Sequence, residues 1–158
     1  MKPHAMEVPV FAKCRGSSRF VALEDVGEGG FGRVSIALDR MTGKQVAVKR
    51  QSAASSVAGR EAALYAYLNA FPHPNVQGMI TSYVTGEEKR RKICLVFDYC
   101  PLDLERVWGL PQGRLGLEVR ITKYLSGTLR GLQHLHRLGI AHGDLSLKNV
   151  LISNDDEP

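Results

Sequence analysis

Gly27-Glu28-Gly29-Gly30-Phe31-Gly32-Arg33-Val34, succeeded further on by Val46-Ala47-Val48-Lys49, is the stretch whose reading decides the fold. Glycines spaced G-x-G-x-x-G let a backbone approach phosphate oxygens, because no Cβ intervenes and positive φ is open to them. The pattern alone does not discriminate, but the residues after it do. A dinucleotide-binding glycine loop opens a helix, whose N-terminus faces the pyrophosphate. Here Arg33-Val34-Ser35-Ile36-Ala37-Leu38 alternates polar and apolar residues with period two, which is a strand pattern. Asp39-Arg40-Met41-Thr42-Gly43 is turn-like, and Lys44 to Lys49 alternates again and ends on a lysine. The expectation is a glycine-rich hairpin with a lysine on the next strand.

Around this stretch the elements order themselves. Phe20 to Val26 is the strand that feeds the glycine loop, and residues 1–19 form a leader without periodicity. Gln51-Ser52-Ala53-Ala54-Ser55-Ser56 offers N-caps for a helix over Val57 to Ala70, with Leu64, Tyr65 and Leu68 at helical spacing and Glu61 within it. Phe71-Pro72 ends that helix. Met79 to Val84 and Lys92 to Phe97 read as two more strands, joined by a charged tip, Lys89-Arg90-Arg91-Lys92. Glu118 to Leu138 is a long amphipathic helix stopped by Gly139. Its underside is expected to leave an apolar patch exposed.

A second motif stands after that helix: Ile140-Ala141-His142-Gly143-Asp144-Leu145-Ser146-Leu147-Lys148-Asn149-Val150-Leu151-Ile152. In the order glycine clamp, strand lysine, helical glutamate, His73-Pro74-Asn75 turn, strand Ile93 to Phe97 and this loop, the chain resembles a eukaryotic protein kinase domain of serine/threonine type. The cyclin-dependent kinase group is the nearest likeness, over about residues 20 to 153. The fold class implied is α+β: a five-stranded antiparallel N-lobe sheet with one helix (20–97), a hinge (98–101) and the start of a helical C-lobe (102–158).

The resemblance implies ATP and Mg as cofactors and a protein substrate. Lys49 and Glu61 are expected to form an ion pair that fixes the ammonium for the phosphates, beside Gly27, Gly29 and Gly32 of the loop. Val26, Val34 and Ala47 are expected against the base, with Phe97 behind it and Leu151 also lining the site. Backbone groups of Asp98 and Cys100 would meet the adenine edge, and Asp103 either the ribose or the start of a short helix. Asp144 would orient and deprotonate the attacking hydroxyl, and Asn149 would be a magnesium ligand. His142 is read as structural.

Departures from the family pattern shape the functional reading. Gly143 stands where most kinases have arginine, which argues against control by a phosphorylated activation loop. Ser146 replaces the lysine that steadies the transferring phosphate; Lys148 is the nearest cation in sequence that offers a substitute. Eleven residues separate Lys49 from Glu61, fewer than the family norm, so a regulatory protein on that helix is open but a cyclin is disfavoured. No Asp-Phe-Gly or Ala-Pro-Glu comes after Asn149 before Pro158, so the chain by itself is expected to phosphorylate poorly or not at all. The alternative is a pseudokinase module that binds a nucleotide or a partner without catalysis.

Composition narrows the remaining classes. Apolar residues at 44% and charged residues at 23% suit a globular chain with a real core. No run of eighteen apolar residues is present, so no membrane span is expected. Three cysteines, Cys14, Cys94 and Cys100, lack metal-like or paired spacing, which suits reduced thiols and a cytoplasmic or nuclear setting. The net charge of +5 raises the question of nucleic acid, but the basic residues are scattered outside the 89–92 tip, and no nucleic-acid partner is expected.

Overall fold

The structure, a computed structural model, describes residues 18–29, 32–87, 90–109 and 117–153. Its elements run β1 (Phe20–Gly29), β2 (Gly32–Asp39), β3 (Gln45–Ser52), α1 (Ser56–Ala70), β4 (Met79–Thr85), β5 (Lys92–Asp98), β6 (Leu102–Asp103), α2 (Leu104–Gly109), α3 (Leu117–Arg137) and β7 (Leu151–Ile152). Residues 1–17 of the leader, Gly30 and Phe31 of the glycine motif, Lys89 of the charged tip, and residues 154–158 lie outside the described residues. Two compact units result. One takes the described residues to Pro72 together with Gly78–Tyr99; the other takes His73–Gln77 together with the described residues from Cys100 onward.

The first unit is an antiparallel sheet of five strands in the order β1-β2-β3-β5-β4. Period-two alternation gives it two apolar faces. On one, Ile93, Leu95 and Phe97 of β5 pack against Ala58 and Ala62 of α1. On the other, Phe20, Ala37, Val46, Val48, Tyr83, Cys94 and Val96 form a second cluster. Phe20 and Tyr83 belong to the two edge strands, yet their rings stack at 5.7 Å and 10°. Side chains from opposite edges meet only if the sheet curls, so the second cluster is the inside of that curl. Burial pushes the Tyr83 hydroxyl up to about 12 and also raises the Cys94 thiol, so Cys94 is an inert core residue.

Helix α1 starts where the sequence offers a cap: the Ser55 Oγ accepts from the Val57 amide at 3.3 Å. It stops at Phe71, whose amide reaches the Leu68 carbonyl at 2.9 Å before Pro72. Its sheet-facing stripe is Ala58, Ala62 and the partly buried Tyr65; Leu68 is buried as well and Leu64 only partly. Small residues let the helix approach the strands closely. Asn69 fastens its end by pairing both amide groups with the Met79 backbone, at 2.6 and 3.0 Å.

The turn after β2 is built on Asp39, which is 1% exposed. Arg19 binds it in a two-pronged ion pair at 2.8 and 2.7 Å, and the Met41 amide and Thr42 hydroxyl add donors at 3.0 and 3.1 Å. The hydrogen bonds from Arg19 hold the Asp39 carboxyl well below the usual carboxylate range. A depressed folded-state pKa contributes stability above the unfolded value, about 3.9, and loses it as pH falls further. The melting temperature is therefore expected to fall as pH drops from about 5 toward 3. Asp39→Asn should flatten that fall; an acid limb of unchanged slope in the variant would contradict this role.

In the second unit Leu104 and Val107 of α2 form a small core with Ile152 of β7. β6 pairs with β7 through Leu102–Ile152 and Asp103–Leu151, and the Leu104 amide bonds the Val150 carbonyl at 2.9 Å. The turn at His73–Gln77 lies on α3: the rings of His73 and His134 stack at 4.8 Å, and a Cβ at Gly131 would sit 2.5 Å from the Asn75 carbonyl oxygen. Within α3, Leu125 and Leu129 are 53% and 64% exposed, in line with an apolar underside. No described helix is long and apolar enough to cross a membrane.

Candidate nucleotide and catalytic residues

In the sheet unit, cross-strand register places several of the sequence-predicted residues on one face. Val34 opposes Lys49, Ile36 opposes Ala47, Ala47 opposes Phe97, and Lys49 opposes Leu95. Directly opposed residues share a face, so Val34, Ala47, Lys49 and Phe97 all stand on the side that carries α1. Phe97 is buried, with its ring edge-on to Tyr65 of α1 at 4.8 Å. Val26 lies at an irregularity of β1, between Asp25 and Gly27, and is 45% exposed. Gly29 opposes Gly32 at the end of the hairpin. Gly32 has φ +114, and a Cβ there would run into the Arg50 carbonyl oxygen, so only glycine fits.

The Lys49 Nζ lies 2.7 Å from Glu61 Oε1. Both side chains are mostly buried, at 23% and 19% exposure, which strengthens the pair over a surface contact. Position comes from sequence: Lys49 stands on the helix-facing side of β3, and Glu61 stands beside Ala62 on the stripe that meets the sheet. Gln51, which motif reading does not single out, completes the arrangement by donating from Nε2 to Glu61 Oε2. The signal for it is its spacing, two residues after Lys49 on the same strand face.

A polar cluster on the other side of the strands is likewise absent from the sequence expectations. The Ser35 hydroxyl donates to Asp25, Arg50 donates to Ser35 at 2.5 Å, and Arg33 reaches Asp25 at 3.2 Å. The hydrogen bond from Ser35, with the nearby guanidinium charges, holds the Asp25 carboxyl below its ordinary value.

The remaining predicted residues fall at the β5 end and in the second unit. Asp98 closes β5 and is exposed; Cys100 is half-buried. Asp103 Oδ1 accepts from the Arg106 amide at 2.8 Å, so its side chain caps α2. Leu151 is 45% exposed, opposite Asp103. Asp144 is exposed, and its backbone and carboxylate are tied to Asn149: Nδ2 of Asn149 donates to the Asp144 carbonyl at 2.7 Å and to Oδ2 at 3.1 Å. Gly143 carries φ +76, a conformation costly for any residue with a Cβ. The His142 Nδ1 faces the Asp144 amide at 3.4 Å, a long contact that orders the loop. Lys148 Nζ lies 3.5 Å from Glu105 Oε2 on α2, an exposed pair.

The protein kinase domain family matches residues 20–158. The chain is 33% identical over 144 residues to "Cyclin-dependent kinase C-2 C" of Arabidopsis thaliana, covering 85% of this chain and 21% of that protein. It is 32% identical over 153 residues to "Probable cyclin-dependent kinase 9" of Caenorhabditis elegans, covering 89% and 31% respectively. Against "Cyclin-dependent kinase 9-A" of Xenopus laevis it is 33% identical over 159 residues, covering 92% of this chain and 41% of that protein. The chain thus spans between about a fifth and two fifths of the length of these relatives. With its five-stranded antiparallel sheet, its helix carrying Glu61 and the further helices after it, the chain belongs to the protein kinase domain family, among relatives of the cyclin-dependent kinases.

Proposed function

We propose that this chain binds ATP with Mg²⁺ and takes part in transferring the γ-phosphate to a serine or threonine hydroxyl of a protein substrate in the cytoplasm or nucleus. The observation that carries this reading is the Lys49–Glu61 ion pair at 2.7 Å, which holds a mostly buried ammonium in one place. In the sheet unit, Val26, Val34, Ala47 and Phe97 take the base and Asp98 offers backbone groups to its edge; Cys100, which belongs to the helical unit, is read in the same way. Gly27, Gly29 and Gly32 bring main-chain amides to the phosphates, and Lys49 supplies the positive charge. In the helical unit, Asp103 and Leu151 belong to the same reading, with the Asp103 side chain already engaged by α2.

Asp144 orients the attacking hydroxyl and receives its proton. Asn149 uses its amide nitrogen on Asp144, which leaves its side-chain oxygen as a hard donor. Among the described residues no group of three or more His, Cys, Asp or Glu gathers to hold a metal. One amide oxygen suits Mg²⁺, which enters such sites on phosphate oxygens and keeps several waters. Held there by Asn149, Mg²⁺ would supply charge neutralisation across the phosphates.

The test is Lys49→Met. A charge-assisted hydrogen bond is worth about 1.5–3 kcal/mol, so Mg-ATP affinity measured with a fluorescent ATP analogue should fall by about ten- to a hundredfold. Equal affinity in the variant, at equal melting temperature, would overturn the reading.

A second reading, a binding module without catalysis, is favoured by the loop itself. Ser146 gives the transferring phosphate no cation, and Lys148 is engaged with Glu105 at 3.5 Å. The arginine usual at position 143 would be strained at the φ of +76 that Gly143 adopts.

A further inference from the structure

We infer that Gln51 is a positioning residue, whose side-chain amide fixes the Glu61 carboxylate and through it the Lys49 ammonium. This rests on the proposal that Lys49, placed by Glu61, meets the phosphates. A carboxylate gripped at one oxygen can still rotate about its last bond. Here Lys49 takes Oε1 at 2.7 Å and Gln51 Nε2 takes Oε2, so the rotation is closed off. Lys49 and Gln51 reach Glu61 from the same face of β3, two residues apart.

The other end of the Gln51 side chain argues that this is its purpose. Gln51 is 6% exposed, and its Oε1 is buried with no hydrogen-bond partner. An unpaired buried acceptor lowers stability, so an apolar side chain of similar size would serve the core better. The donated bond to Glu61 is what the amide supplies and an apolar residue would not. The connection from β3 to α1 tightens the same geometry. It is the short turn Ala53–Ser55, pinned where the Ala53 amide reaches the Arg91 carbonyl at 2.9 Å and the Ser55 amide the Ser52 carbonyl at 3.0 Å. The turn anchors the first turn of the helix, and Gln51 anchors the second through Glu61.

A tether and a packing residue differ in what Gln51→Met would do. Methionine nearly conserves volume, removes the unpaired acceptor and removes the donor. For the full 158-residue chain, the expected melting temperature is unchanged or raised. Mg-ATP affinity should fall about three- to tenfold, the worth of one hydrogen bond. The rate at which acetic anhydride acylates Lys49, followed by mass spectrometry of its peptide, should rise several-fold as the pair loosens. In a Glu61→Gln background, Gln51→Met should add less than about twofold to either quantity, because the group it acts through has changed.

Wild-type affinity and labelling in Gln51→Met would overturn the tether, as would equal changes in both backgrounds. A fall in melting temperature that accounts for the affinity loss would assign Gln51 to packing instead. If wild-type protein binds no Mg-ATP, the nucleotide reading fails by itself. Lys49 labelling then decides the tether alone, and an unchanged rate in Gln51→Met would sink it.

Discussion

Asp144→Asn is expected to lower Mg-dependent phosphate transfer to a protein substrate by about a hundred- to ten-thousand-fold, the range for loss of a positioned general base. The substitution keeps the shape of the side chain and one carbonyl oxygen. Asn149 Nδ2, which now reaches the Asp144 carbonyl at 2.7 Å and Oδ2 at 3.1 Å, therefore retains its acceptors. Mg-ATP affinity should stay within about threefold of wild type, because no charge-assisted contact to the nucleotide is assigned to Asp144. That split between transfer and binding separates a base from a residue that merely supports the loop. Transfer that survives Asp144→Asn would remove Asp144 from the chemistry. No transfer by wild-type protein, with binding retained, would give the binding-module reading the lead.

Leu95→Ala is expected to destabilise the sheet unit by about 2–5 kcal/mol, read as a lower urea midpoint at constant m-value. Leu95 is fully buried on β5, among the largest such side chains, in the cluster with Ala58 and Ala62 of α1. Alanines on the helix leave little to collapse into the space, so the cavity term should be near its upper range. Against a typical domain stability of about 5–15 kcal/mol, this is a large fraction. Leu95 also opposes Lys49 in register, so the same cavity lies under the lysine and weaker nucleotide binding should accompany the loss. A cost below about 1 kcal/mol would mean that this face is not a packed core.

Much of this arrangement is legible in sequence because it depends on local pattern. Alternation around Val34 and Val46 identifies the strands, Ser55 and Pro72 bracket the helix, and the spacing of Asp144 and Asn149 marks the loop. What escapes is set by partners distant in the chain. β3 runs on through Arg50 and Gln51, past the lysine where the alternation ends, because both find cross-strand partners in Cys94 and Ile93. Helix periodicity singles out Leu64, whereas the contact with the sheet uses Ala58 and Ala62, since close approach selects small residues. Nothing near Phe20 announces that its ring stacks on Tyr83, because only the curl of the sheet brings the edges together. Sequence leaves Asp103 open between ribose and cap, and only the fold shows that its side chain accepts from the Arg106 amide at the start of α2.

The most direct measurement is a calorimetric titration of ATP into the wild-type chain, with and without Mg²⁺. Saturable single-site binding, strengthened by Mg²⁺, is the result that the proposed nucleotide reading of the Lys49–Glu61 pair predicts. A titration with no saturable heat in either condition, from protein that melts cooperatively, would contradict it.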